Sequence, residues 1–346
     1  MGKRVTMQDI ADRLTITKNS VSQALTGKPG VSEETRKQVL KVADELGYRY
    51  TPKTTFRQID HHRTGNIGLI ASDFAFSMKS FFGDIFLSVE EEVQKRNKNL
   101  LLQSINKQAN EKLKLPSFIE EKSVDGIIIL SHLNSAYINK VLATGIPTVL
   151  IDHHHPKIQA DAILTNNRFG AYTAVQHLLE LGHRDIAYVG NIGFSPSYQE
   201  RLEGYLLALR DYGVQPREEF MFKDALEEEA VINSFISQVP VQPTAWFCVN
   251  DGLGYLVNSG LQRNGVHIPE DASVCSFDNG QLSRLSTPRI TSMDIDLRLF
   301  GRKAVERLFW RTENKSEPYE ETLLPATLVE GDSTGKLFKK NTSVKS

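Results

Sequence analysis

The feature that most constrains the fold of this chain is an alternation of short apolar runs with segments of helical periodicity. The runs NIGLIAS, LLLQS, DGIIIL and TVLID alternate with helical patterns after residue 66. The alternation starts again after ADAILTNN, with DIAYVG, AWFCVND and ASVCSFD. Continuous apolar runs separated by helices are typical of strands in a parallel sheet that is covered on both faces. The sequence therefore predicts two doubly wound parallel-sheet modules of similar size.

Polar side chains follow several of these runs, at the points where the predicted strands end. They are Asp73, Asp152, Asn250, Asp251 and Asp278. Open parallel sheets bind ligands at the carboxyl ends of their strands, so two facing modules would form a cleft suited to a hydroxyl-rich ligand. Asp and Asn are also common turn residues, and any one of these positions alone is equally explained as a turn.

The first 50 residues show a different pattern, that of three short helices. Thr6 and Asp9 have the spacing of a capping box, and a short apolar stripe follows them. Thr17 is the predicted N-cap of a second helix that ends near Gly27 and Pro29, and Ser32 caps a third helix that stops at Gly47. A tight turn between the first two helices makes this a helix-turn-helix.

The second helix carries side chains that can read DNA. Lys18 can donate to guanine, Asn19 and Gln23 can pair with adenine, and Thr17 and Ser20 are placed for phosphate oxygens. The predicted DNA-binding set is Thr17, Lys18, Asn19, Ser20, Ser22 and Gln23. Residues 1–64 hold twelve Lys and Arg against seven Asp and Glu, a net +5, which leaves −6 for the rest of a chain of net charge −1. A basic segment of this kind favours nucleic acid, whereas a small helical bundle with a polar face is the alternative.

The first 50 residues resemble a known family. VTMQDIADRLTITKNSVSQALTGKPGVSEETRKQVLKVADELGYR is similar to the DNA-binding head of the LacI/GalR family of bacterial transcription regulators. The segment differs from the family at Thr15, where Gly is usual in the turn, and at Gln23, where Arg is usual.

The resemblance continues through the body of the chain. LGHRDIAYVG, RLEGY, PTAWFCVND, IPEDASVCSFDN and TPRITSMDID resemble the effector domain of the family. This implies a periplasmic-binding-protein-like fold whose subdomains are joined by crossing segments near 164–167, 291–294 and 324–328. It also implies an effector site that includes Arg201, Asn250 and Asp278. The resemblance adds Asp152, Ser195 and Ser197 to this site. With the strand-end residue Asp73, the predicted effector set is Asp73, Asp152, Ser195, Ser197, Arg201, Asn250 and Asp278.

These inferences give a domain plan. We expect a helix-turn-helix domain at 1–50, a hinge or linker at 51–66, an effector-binding and dimerisation domain at 67–334 and a tail at 335–346. The N-subdomain is expected at about 67–164 and 294–326, and the C-subdomain at about 165–293.

Three segments of the linker and body depart from the family pattern. KDAL has Ala225 and Leu226 where the family often has an aromatic residue against the ligand. The stretch DFAFSMKSFF is longer than usual and could supply that aromatic residue. The linker TTFRQIDHH lacks the Leu that wedges into the minor groove in the family, a role left to Phe56 or Ile59.

Other classes of protein find less support in the sequence. Cys248 and Cys275 lie in apolar runs and suggest core residues of a reduced, cytoplasmic protein. The chain shows neither a signal-peptide pattern nor a phosphate-binding loop, and His153 to His155 lack the partners of a metal site. We therefore predict no metal, cofactor or catalysis. The predicted function is a repressor of carbohydrate uptake or catabolism genes, a homodimer on a palindromic operator with a sugar-like effector. A sugar-modifying enzyme and a cytosolic solute-binding protein with a helical appendage are the alternatives.

Overall fold

A computed structural model describes residues 5–26, 30–46, 48, 64–73, 75, 81–130 and 133–337. The chain divides into two compact units, a head at Met1–His62 and a body at Arg63–Ser346. The predicted helix stops at Gly27, Pro29 and Gly47, and the hinge candidates Phe56 and Ile59, lie outside the described residues.

The head is built from three helices, as predicted. They are α1 (Met7–Leu14), α2 (Lys18–Thr26) and α3 (Glu33–Glu45). The capping box of Thr6 and Asp9 is present at the start of α1, and Ser32 caps α3 by accepting a hydrogen bond from the Thr35 amide. Buried side chains from all three helices form one small core, made of Ile10, Ala11, Val21, Ala24, Val39 and Ala43.

The body contains two six-stranded sheets. The strands, in chain order, are β1 (Asn66–Ser72), β2 (Asn99–Ile105), β3 (Gly126–Leu130), β4 (Thr148–Ile151), β5 (Asp161–Thr165), β6 (Ile186–Val189), β7 (Met221–Phe222), β8 (Ala245–Cys248), β9 (Ser273–Asp278), β10 (Thr291–Ile295), β11 (Glu321–Leu324) and β12 (Ala326–Val329). The first sheet has the order β11-β5-β4-β3-β1-β2 and the second has β12-β10-β9-β8-β6-β7. All neighbouring strands are parallel except β10 and β12.

Helices connect the strands and cover both sheets. They are α4 (Phe82–Lys95), α5 (Lys107–Glu111), α6 (Ser117–Glu120), α7 (Ser135–Leu142), α8 (Asn167–Glu180), α9 (Pro196–Asp211), α10 (Glu229–Gln238), α11 (Asp251–Arg263), α12 (Gln281–Leu285) and α13 (Leu297–Glu313). A short 3-10 helix, Glu218–Phe220, precedes β7. The predicted fold class, a helix-turn-helix head with two doubly wound parallel-sheet subdomains, is confirmed.

The chain crosses between the sheets at three places. The first crossing follows β5, within the predicted segment 164–167. The second lies at Asp296, because β10 pairs with β9 up to Asp294 and with β12 up to Ile295, so the chain leaves the second sheet only after Ile295. The third lies at Pro325, between β11 and β12. The expected boundary at 294 therefore falls inside a strand of the second sheet, and residues 326–329 belong to that sheet as well.

We use N-subdomain for the sheet of β1–β5 and β11 with its helices, and C-subdomain for the sheet of β6–β10 and β12 with its helices. The apolar runs that predicted the strands are buried in the sheet cores, except the run LLLQS, which forms the partly exposed edge strand β2. Cys248 and Cys275 are both fully buried, as expected of core residues.

Candidate effector cleft and DNA-reading helix

The polar side chains of α2 differ in their exposure. Thr17, Lys18 and Asn19 are exposed, whereas Ser20, Ser22 and Gln23 are partly buried. Thr17 also caps the helix, because its Oγ1 accepts a hydrogen bond of 3.1 Å from the Ser20 amide. Of the predicted DNA-binding residues within α2, Lys18 and Asn19 are thus the exposed ones.

Gln23 and Arg36 lie at the other end of α2. The amide of Gln23 lies against Gly30, where an added Cβ would meet its Oε1 at 3.0 Å. The guanidinium of Arg36 donates to the Ala24 carbonyl at 3.1 Å, which satisfies a carbonyl in the last turn of α2. Gln23 is consequently held against the chain that follows the helix.

The principal cavity of the body, about 990 Å³, lies between residues of the two subdomains. Phe81, Asp84, Leu297 and Arg298 line it on the N-subdomain side. On the C-subdomain side the lining includes Glu227, Asn250, Asp278 and Asn279. The cavity therefore opens onto the carboxyl ends of β8 and β9, where polar residues were predicted to collect.

Arg201 is held beneath this wall of the cavity. It lies on α9 and is only 3% exposed. Its Nε donates to Asn167 Oδ1 at 2.9 Å, and its Nη1 donates to Asp278 Oδ1 at 3.3 Å and to the Val249 carbonyl. The guanidinium also stacks over the ring of Phe277, 3.7 Å from the centroid. Because its contacts fix its plane, Arg201 presents a rigid group beside Asp278.

Asn250 joins the end of β8 to the start of α11. Its Oδ1 caps the helix by accepting a hydrogen bond of 2.9 Å from the Leu253 amide. Its Nδ2 donates to the Tyr198 hydroxyl at 2.7 Å and to Glu227 Oε1 at 2.5 Å. Asn250 is thus both a structural cap and a cleft residue.

Tyr198 and Glu227 were not predicted from the sequence. Tyr198 lies three residues before Arg201, on the same face of α9, and this spacing could have found it. Glu227 lies in the loop before α10, directly after the KDAL segment that the family resemblance places against the ligand, and this position could have found it. Burial raises the pKa of Tyr198, so its hydroxyl stays protonated at neutral pH.

Asp278 has an unusual electrostatic environment. Burial raises its pKa well above the ordinary range, and the positive charge of Arg201 opposes that rise. The neighbouring carboxylates of Asp251, Asp152 and Glu227 raise the pKa further. This end of the cleft therefore holds several acids around one guanidinium.

Asp251, the residue after Asn250, has a structural function. It is 5% exposed and accepts hydrogen bonds from the hydroxyls of Ser276, Ser283 and Ser292 and from the Gly280 amide. Burial raises its pKa, although these hydrogen bonds favour the ionised form. Asp251 thereby ties the loop before α12 to α11.

Asp152, Ser195 and Ser197 lie beside the cavity and do not line it. Ser197 Oγ donates to Asp152 Oδ1 at 3.1 Å, a contact between the subdomains. Ser195 caps α9, because its Oγ accepts a hydrogen bond from the Ser197 amide. The structure therefore gives Ser195 and Ser197 local partners that a ligand would have to replace.

Asp73 is separated from the rest of the predicted effector set. It is exposed after β1 and accepts a hydrogen bond from Ser104 Oγ. It is not among the described residues that line the cavity.

An aromatic residue of the cleft lining comes from the stretch DFAFSMKSFF of the N-subdomain. Ala225 is buried and Leu226 is 49% exposed, and neither lines the cavity. Phe81 does line it and packs edge-to-face on Phe82 at 4.9 Å. Phe81 is therefore placed to cover a ligand in the way the KDAL segment cannot.

Metal-binding groups and membrane-spanning helices are the last two features to consider in the described residues. Across the described ranges, which omit 74, 76–80 and 131–132, no group of three or more His, Cys, Asp or Glu could hold a metal ion. In the same part of the chain, no helix is long and apolar enough to cross a membrane.

Comparisons with known proteins agree with this architecture. A model of bacterial regulatory proteins of the lacI family matches residues 6–50, and a model of periplasmic binding protein-like domains matches residues 175–334. The ribose operon repressor of Haemophilus influenzae is 29% identical over 328 residues, which cover 94% of this chain and 97% of the relative. The transcriptional repressor PurR of Vibrio campbellii is 28% identical over 314 residues, covering 90% and 92%.

A solved structure shows the same fold. It is a LacI family transcriptional regulator from Enterococcus faecium with bound ribose, 26% identical, with a TM-score of 0.67. The match covers 79% of this chain and 100% of that chain. The lacI family model matches the head, and relatives that are named as repressors match over nearly the whole chain, so the chain is similar to the LacI/GalR family of bacterial transcription regulators.

Proposed function

We propose that the protein is a cytoplasmic repressor of carbohydrate uptake or catabolism genes. It binds a palindromic operator as a homodimer through α2 of the head, and a sugar-like effector in the cleft sets the strength of that binding. The observation that carries this proposal is the pair of Asp278 and Asn250 in one wall of a cavity of about 990 Å³, with Arg201 held beneath them, in a chain that also carries a helix-turn-helix. Directional donors and acceptors at a cavity wall select hydroxylated ligands.

The relatives support the carbohydrate class. One is named for a ribose operon, and a solved relative holds ribose. The effector can change operator affinity only if it binds one state of the cleft more tightly than the other, because only a shift between these states reaches the head.

Operator binding is tested by selecting from a library of random duplexes at two salt concentrations. We expect a palindromic consensus for the wild type and its loss in the variant Lys18→Ala, Asn19→Ala, Gln23→Ala. The control is Lys41→Ala on α3, which also removes an exposed positive charge and leaves α2 intact. If the protein retains duplexes without a consensus, and this retention falls as the salt concentration rises, the binding is only electrostatic and the operator proposal is refuted.

Effector binding is tested by titrating neutral sugars, ribose included, against the complex with the selected operator. We expect one sugar to change operator affinity in the wild type and to lose that effect in Arg201→Ala. Incubation of the same sugars with ATP or NAD should give no product, and turnover would favour the enzyme alternative.

A further inference from the structure

Glu227 gives the cleft a chemical character that goes beyond a general sugar site. It lines the cavity, and the one hydrogen bond to its side chain comes from the neutral amide of Asn250. Within the described part of the chain, no Lys, Arg or His nitrogen lies within 4.0 Å of its carboxylate. Glu227 therefore points a negative charge at the ligand space without a cationic partner.

Four other acids of the lining differ from Glu227 because each has a partner of its own. Asp278 pairs with Arg201 at 3.3 Å, and Asp294 lies 3.8 Å from Arg284. Asp251 is satisfied by four donors, and Asp296 caps α13 by accepting a hydrogen bond from the Leu299 amide. Glu227 and Asp84, on opposite subdomains, are the lining acids left for a ligand to satisfy.

Asn279 adds an independent observation on the same wall. It lines the cavity, is 6% exposed, and its Oδ1 has no hydrogen-bond partner among the described residues. Asn250 has no donor left to offer, since its Nδ2 already serves Tyr198 and Glu227. The carboxylate of Glu227 thus has acceptor capacity that Asn250 does not fill, which favours a ligand group that donates hydrogen bonds there.

The backbone makes room for the carboxylate of Glu227. An added Cβ at Gly252, in the first turn of α11, would come within 2.3 Å of Glu227 Oε2. Gly252 is therefore required for Glu227 to lie against α11 and at the cavity.

We propose that the effector is a polyhydroxylated ligand that carries a protonated amine, with the ammonium group bound by Glu227. An ammonium donates up to three hydrogen bonds and accepts none, which fits the carboxylate of Glu227 better than a hydroxyl does. An ammonium on the ligand also adds a positive charge near Asp278 and its neighbouring acids, where Arg201 is the cation described above. The inference rests on the proposed function, because it assumes that the effector binds in this cleft.

The experiment compares matched sugars that differ in one group. The probes are D-glucosamine, D-galactosamine, D-mannosamine, 3-amino-3-deoxy-D-glucose and 6-amino-6-deoxy-D-glucose, each beside its hydroxyl counterpart. Binding to the full chain is measured by isothermal titration at pH 7. We expect at least one amine to bind about 10- to 100-fold more tightly than its counterpart, as one charged hydrogen bond provides.

Variants of two neighbouring glutamates test whether the tighter binding of amines depends on Glu227. Glu227→Gln should abolish it, and Glu227→Asp, which keeps the charge, should retain part of it. Glu228→Gln removes the same charge one residue away, outside the cavity lining, and should keep the preference. Thermal unfolding of each variant verifies that it is folded.

Two results would overturn the inference: no amine binds more tightly than its counterpart, or the preference survives Glu227→Gln in a folded protein. Neutral sugars distinguish this failure from failure of the proposed function. If a neutral sugar binds and changes operator affinity, the proposed function stands and the amine preference alone is wrong.

Discussion

The ion pairs of His154 connect the two subdomains and lead to a pH-dependent prediction. His154 follows β4 of the N-subdomain, and its Nε2 lies 2.7 Å from Glu200 Oε1 on α9 of the C-subdomain. Its Nδ1 lies 3.1 Å from Glu321 Oε1 on β11. The hydrogen bond to Glu200 raises the pKa of His154 from 6.5 to about 9, against the effect of burial. Burial opposes ionisation of Glu200, but hydrogen bonds from His154 and Asn167 lower its pKa, so the pair is charged at neutral pH.

The contribution of this pair to stability follows from the difference between 6.5 and about 9. At about 1.4 kcal/mol for each tenfold change in proton affinity, the upper bound is about 3 kcal/mol. Solvent reaches the pair, since 27% of the His154 side chain is exposed, and screening reduces the figure to about 1–2 kcal/mol. Because the folded pKa is raised, this stability is complete below pH 6.5 and is lost as the pH rises through about 9.

The perturbation is His154→Gln, and the assay is urea unfolding at intervals from pH 6 to pH 9.5. We expect the variant to be less stable than the wild type by about 1–2 kcal/mol at pH 6, and the difference to shrink towards zero by pH 9.5. The control is His155→Gln, because no carboxylate of the described residues lies within ion-pair distance of His155. A His154→Gln difference that stays constant with pH, or that grows towards alkaline pH, would refute the linkage argument.

Three further predictions concern the backbone and a helix end. Gly204→Ala should destabilise the body by about 1–3 kcal/mol in urea unfolding, because the new Cβ would come within 2.1 Å of the Arg168 carbonyl oxygen. Gly83 lies in helix α4, and a Cβ added there would meet no atom within 4 Å, so Gly83→Ala should instead stabilise the body by up to about 1 kcal/mol. Equal effects of the two substitutions would contradict the packing argument. Thr15→Gly should stabilise the head by up to about 1 kcal/mol, seen as slower hydrogen exchange in α1 and α2, because Thr15 has φ of 55°. Arg36→Ala should destabilise the head by about 1 kcal/mol in the same exchange experiment, since the Ala24 carbonyl loses its donor, while Lys37→Ala should have little effect.

The sequence predicted the parts of this molecule that depend on local patterns. Thr6, Thr17 and Ser32 cap their helices because a cap needs one side-chain oxygen and a fixed spacing to a backbone amide. The strand runs were equally visible, because a strand buried on both faces must be apolar throughout.

The composition of the cleft was less predictable. Asp73 and Asp278 both follow parallel strands, yet Asp73 is exposed beside Ser104 whereas Asp278 meets Arg201. Which strand end faces the opposite subdomain depends on the crossings of the chain, and these are set by tertiary packing. Glu227 was missed because its loop reaches the cavity through the packing of β7 beside β6 and of α10 against α11.

Helix α9 connects the effector site with the contacts between the subdomains. Arg201, which holds Asp278, lies one turn from Ser197, and Ser197 and Glu200 of the same helix contact Asp152 and His154 across the subdomain boundary.

The backbone at this boundary is constrained as well. Asp152, Asp278 and Asn279 have φ values of 54°, 100° and 45°, conformations that non-glycine residues hold only where their surroundings enforce them. A ligand that moves Arg201, directly or through its partner Asp278, must also strengthen or weaken the contacts of Ser197 and Glu200, because Ser197, Glu200 and Arg201 lie on one helix. Differential affinity for two arrangements of the subdomains, which any effector of this protein requires, has a physical basis in that helix.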